Sequence, residues 1–135
     1  MKTGTVTLVY KYYPVVDQGR VGESTWAAQA AECANQQNKF WEYHDKLFAV
    51  WKGENVGTFT KLNLKQYAVG IVPDTATFDQ CLDTDKTKSI VDADVAEAGR
   101  FGVPGTPTFF VNNRLLNLTS LDYSQFSRTF DSLAK

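Results

Sequence analysis

The stretch Gly102-Val103-Pro104-Gly105-Thr106-Pro107-Thr108-Phe109-Phe110-Val111-Asn112-Asn113-Arg114-Leu115-Leu116 decides how this chain is read. Two glycines and two prolines within its first six residues end any helix arriving from the N-terminal side. Thr108–Val111 is rich in aromatic and β-branched residues and predicts a short strand. Asn112-Asn113 suits a tight hairpin turn, because Asn tolerates a positive φ better than other side chains. Arg114-Leu115-Leu116 is then the returning strand. Beyond the hairpin, Tyr123, Phe126, Phe130 and Leu133 recur at helical spacing and predict a final amphipathic helix. Before it, Val91, Val95, Ala98 and Phe101 mark a helix over about 85–100.

Further from this centre the pattern is mostly helical. Phe78, Cys81 and Leu82 share one side of a helix that Pro73-Asp74 starts. Leu62, Leu64, Tyr67 and Ala68 predict a short helix ended at Gly70. Phe40, His44, Leu47, Phe48 and Trp51 form an apolar face on a helix that Gly53 stops. Ser24 or Thr25 can cap a helix running to about Asn35, whose Trp-Ala-Ala-Gln-Ala-Ala segment has high helix propensity. Residues 15–23 and 53–60 read as loops. At the start, Val6, Leu8 and Tyr10 alternate with Thr5, Thr7, Val9 and Lys11, which predicts a buried strand ended by Pro14. The predicted order is strand, several helices, hairpin, helix.

Composition narrows the function. The chain of 135 residues is 43% hydrophobic and 21% charged. That balance suits one domain with a real core. Lys+Arg 14 against Asp+Glu 15 leaves no basic excess for nucleic acid. No apolar run approaches the ~20 residues of a membrane span. Met1-Lys2-Thr3-Gly4-Thr5 carries no signal-peptide apolar region. One histidine and two cysteines without a C-x-x-C exclude a Cys/His zinc site, an iron–sulfur cluster and a local dithiol motif. No cofactor is expected. Asp92, Asp94 and Glu97 read as a solvated helix face, not a metal-ligand pattern.

With these residues in place, the chain resembles the DsbA-like branch of the thioredoxin superfamily. Three blocks carry the resemblance, in the family's order: Ala30-Ala31-Glu32-Cys33-Ala34 followed by Lys39-Phe40-Trp41-Glu42-Tyr43-His44-Asp45-Lys46-Leu47-Phe48, then Phe78-Asp79-Gln80-Cys81-Leu82-Asp83, then Gly102–Asn112. The implied fold is α/β: one thioredoxin-like DsbA-type domain over 1–135 with a helical insertion at about 24–100. The departure is at the start. Family members open with a strand leading into a Cys-x-x-Cys at a helix N-terminus, and this chain opens at the strand after that helix. A natural loss, a fragment and a misplaced start all fit.

The resemblance puts the lacking strand between residues 5–12 and 108–112. Two strand edges are then expected to seek partners, through a homodimer or by closing on each other. Family chemistry needs a thiolate stabilised at a helix N-terminus. No catalytic residue is expected in this chain, and the expected activity is that of a redox-inactive relative. The rival reading is an enzyme, using Cys33 and Cys81 directly or completed by a separate Cys-x-x-Cys segment.

Thr106-Pro107 matches the family's cis-proline, so the resemblance implies a peptide-binding edge at Val103, Thr106 and Pro107. The plainer alternative is a turn that aims the chain into the next strand. Some relatives with cysteines at both matching positions pair them, which implies a structural disulfide between Cys33 and Cys81. Two buried thiols and a reactive pair are the alternatives. A disulfide would favour the periplasm or cell exterior. His44 is expected as a packed core residue on the helix face rather than a catalyst, and Trp26, Phe40, Phe48 and Trp51 as core rather than a binding surface, with Trp41 beside the stripe. The expected partner besides a second copy is an extended peptide or protein substrate.

Overall fold

The computed structural model describes residues 6–17 and 21–133. Among the described residues six α-helices form: α1 (Glu23–Asn35), α2 (Phe40–Val50), α3 (Lys61–Ala68), α4 (Thr75–Asp83), α5 (Lys88–Arg100) and α6 (Tyr123–Leu133). One hairpin pairs β1 (Phe110–Val111) with β2 (Arg114–Leu115), antiparallel, with Phe110 opposite Leu115 and Val111 opposite Arg114. Asn112 and Asn113 both hold positive φ, 48° and 63°. A two-residue turn of this twist requires such a backbone. The Leu116 amide donates to the Phe109 carbonyl and lengthens the ladder by one rung.

The chain divides into two compact units, one of residues 12–103 and one of 104–135 with the first eleven. In the first, α1 is the central helix, packed by α2, α3, α4 and α5. Its buried Ala30, Ala31 and Ala34 let the neighbouring helices approach closely. Tyr43, Leu64, Phe78, Leu82 and Val91 fill the space around it and are almost wholly buried. Each such large side chain contributes roughly 1.5–3 kcal/mol by leaving water.

Side chains hold the starts of α1 and α4. Asp17, in a 3-10 turn over Val15–Asp17, accepts from the Ser24 and Thr25 amides and from the Thr25 hydroxyl (3.2, 2.6 and 2.6 Å). It thereby satisfies donors that the first turn of α1 leaves free. Gly22 makes room for this carboxylate, since a Cβ there would stand 2.8 Å from Asp17 Oδ1. Glu23 accepts from the Gly57 and Phe59 amides, both at 2.7 Å, and so orders the loop before α3. Asp74 caps α4 through the Thr77 amide, and hydrogen bonds from the Thr77 amide and hydroxyl hold its carboxyl below the usual carboxylate range. Gln37 pairs its side-chain amide with both backbone groups of Asp74, each at 2.9 Å.

Three expectations are corrected. Residues 6–14 form no strand, and Leu8, Val9 and Tyr10 are exposed. An alternating pattern only sorts side chains to two faces; a strand also needs a ladder neighbour, and among the described residues the one sheet is β1–β2. Thr5 and part of the loop at 15–23 lie outside the described residues. The second correction is to α2: Phe48 is 69% and Trp51 59% exposed, so neither is core. Helix α2 turns Tyr43 and Leu47 inward instead, with Phe40 partly buried against the core. The third concerns the stripe of α5, where Val91 is buried but Val95 and Phe101 are exposed. Helix α5 packs against α1, and Ala98 of the stripe is half-buried.

Candidate functional site: the disulfide and the proline loop

Cys33 lies in the buried second half of α1, and Cys81 on α4, the helix packed beside it. Their Cα atoms are 6.0 Å apart, within disulfide reach, and the sulfurs are bonded. Cys33 is 1% and Cys81 3% exposed, so both sulfurs are shielded from solvent. The bond closes a loop across a sequence separation of 48, which takes in α2 and α3. Thr87, wholly buried at the start of α5, donates its hydroxyl to the Gln29 carbonyl at 3.0 Å. The same oxygen lies 3.7 Å from Cys33 Sγ. Neither cysteine remains free.

Around this staple the core carries polar groups with defined partners. The Tyr12 hydroxyl donates to Glu32 Oε2 at 3.0 Å, and the Tyr12 amide to Asp94 Oδ2 at 3.0 Å. Asp94, read from sequence as part of a solvated face, is therefore buried with a backbone donor against it. The Tyr43 hydroxyl donates to the Leu64 carbonyl at 2.8 Å. Burial, and then the neighbouring Tyr67, push the Tyr43 phenol well above its ordinary value.

The residues expected to bind a peptide fall on two different units. In the helical unit, α5 ends in a Schellman motif. Gly102 has φ +63°, its amide donates to Gly99 O, and the Val103 amide donates to Ala98 O. The Val103 carbonyl accepts from the Tyr13 hydroxyl at 3.4 Å. In the other unit, Thr106 and Pro107 are exposed, and the peptide bond between them is cis. Thr108 Oγ1 donates to the Gly105 carbonyl at 2.6 Å and closes the turn that leads into β1. Phe109 packs edge-on against Phe126 of α6, with ring centroids 4.9 Å apart.

His44 falls outside the core. It is 22% exposed, stands 3.0 Å from Asp45 Oδ1 through Nδ1, and lies among the rings of Phe40, Trp41 and Phe48. The resulting row of rings on the outside of α2 was legible only as an apolar stripe. The inward row of Phe40, Tyr43 and Leu47, spaced by three and then four, fits a helix face as well as the outer row does. Among the described residues no group of three His, Cys, Asp or Glu could hold a metal, and no helix is long and apolar enough to cross a membrane.

The helical unit with its buried disulfide and the hairpin-and-helix unit match a thioredoxin-like fold of the DsbA kind. The chain belongs to the thioredoxin family, whose model matches residues 1–132. Among solved structures it is similar to oxidised BdbD from Bacillus subtilis, with a TM-score of 0.73 and 24% identity, covering 83% of this chain and 62% of that one. Among characterised proteins it is 34% identical over 110 residues to the Na(+)/H(+) antiporter NhaA 3 of Salinispora tropica. It is also 34% identical over 109 residues to NhaA 1 of Salinispora arenicola. These matches take in 82% and 81% of this chain, which spans only 16% of either antiporter's length.

Proposed function

We propose that this single DsbA-like domain has no dithiol chemistry of its own. Cys33–Cys81 serves as a structural staple, and the exposed Thr106 and Pro107 serve as the edge for an extended peptide or protein partner. The carrying observation is that both cysteines of the sequence are joined in a buried bond. Thiol–disulfide exchange needs a thiolate, and none is left to attack or resolve a mixed disulfide. A buried staple also favours an oxidising compartment such as the periplasm or cell exterior. The matches within two much longer antiporters support a module that also occurs as part of larger polypeptides.

The test is insulin reduction by the purified chain with dithiothreitol, beside mass spectrometry after alkylation in denaturant without reductant. No turnover above background and no alkylation are expected. Turnover that disappears in the Cys33→Ser/Cys81→Ser variant would overturn the proposal in favour of direct exchange. Assembly as a homodimer is the companion reading, carried by the two-stranded sheet, and light scattering across a concentration series checks it. The second functional reading is completion by a separate Cys-x-x-Cys segment. The observation favouring it is that this chain spans 62% of BdbD. Turnover that appears only when a strand–helix peptide with that motif is added would establish it.

A further inference from the structure

Gln29 is the one large polar side chain of the helical unit that is wholly buried and left without a partner among the described residues. Its exposure is 0%, and neither Nε2 nor Oε1 makes a hydrogen bond. Exchanging the amide's nitrogen and oxygen changes nothing, because both ends are unmatched. A carboxamide offers two donors and an acceptor with two lone pairs. Leaving such a group dry is costly, and buried polar groups that lack a protein partner are commonly met by ordered water.

The surroundings favour that occupant. Positions 29 and 33 are four apart and share a face of α1, so Gln29 neighbours the disulfide along the helix. Thr87 is tied to this face by its hydrogen bond to the Gln29 carbonyl and its approach to Cys33 Sγ. Its one hydroxyl proton is spent on that carbonyl, and its oxygen keeps lone pairs that can accept. Both Thr87 and the disulfide are uncharged. Their oxygen and sulfur atoms are neutral acceptors, which suit water.

We infer that the Gln29 carboxamide holds an internal water molecule in the core of the helical unit, beside the Cys33–Cys81 disulfide. The water supplies the hydrogen bonds that the packed helices do not. It leaves only when the unit opens, so its residence is long on the timescale of surface hydration.

The test uses the oxidised full chain. Rotating-frame water–protein cross-peaks are recorded for the Gln29 Nε2 protons, with exchange peaks separated by their opposite sign. Water oxygen-17 relaxation dispersion is compared between wild type and Gln29→Leu. A direct cross-peak at Gln29, with one fewer long-lived water in the variant, is the expected result. No cross-peak, or equal dispersion amplitudes in two folded proteins, would overturn the inference. Should Gln29→Leu fail to fold, Gln29→Met takes its place. If neither folds, the wild-type cross-peak decides alone.

Discussion

Cys33 and Cys81 show how much one covalent contact asks of its neighbours. The two residues were readable as a pair only through resemblance. The sulfurs are buried where α1 packs against α4, which no spacing rule reveals. Replacing both with Ser is expected to lower unfolding free energy by about 2–4 kcal/mol, from the released chain entropy of a loop this long. Urea denaturation of oxidised wild type against the variant measures it. Tyr43 supplies a second expectation. Its folded phenol is held above its ordinary value of 10.0, mainly by burial. The folded state therefore keeps the proton that the unfolded chain begins to lose near that value. Stability from Tyr43 is present in full below about pH 10 and falls as pH rises beyond it. Thermal melts from about pH 8 to 11, a range that brackets the ordinary phenol value, should show a steeper alkaline loss in wild type than in Tyr43→Phe.

Elements were the part most open to reading, and their boundaries follow local chemistry. Asp74 before α4, Gly102 after α5 and Asn112-Asn113 in the hairpin act through contacts a few residues away, so sequence displays them. Gly102 carries φ +63° with open space where a Cβ would stand, so Gly102→Ala is penalised by backbone conformation alone. A loss of about 1–2 kcal/mol is expected. Gly99 has equally open space but sits within α5. Gly99→Ala should add up to about 1 kcal/mol. Chemical denaturation of the two variants side by side separates the effects. The face of α2 was less legible. Two apolar rows run along it, Phe40-Tyr43-Leu47 and Phe40-His44-Phe48-Trp51, and amphipathicity alone does not choose between them. Contact with α1 and α3 chooses the first.

At the scale of the whole molecule, stability is unevenly spread. The large buried side chains all belong to residues 12–103, while α6 and the hairpin strands contain no buried residue. Few apolar contacts and exposed backbone hydrogen bonds mark segments that open easily. Hydrogen exchange read by mass spectrometry should therefore show α6 and β1–β2 labelling well before the second half of α1, and equal protection would contradict this. The sequence by itself determined the helices, the hairpin with its turn residues, the proline loop and the family resemblance. Each rests on interactions within a few residues or on a motif of fixed spacing. Only the tertiary structure decided that residues 6–14 form no strand, that α2 shows an aromatic row to solvent, and that Asp94, Glu32 and Gln29 are buried. Those outcomes depend on which distant surfaces meet: a strand requires a neighbour, and a side chain is buried only when another element covers it.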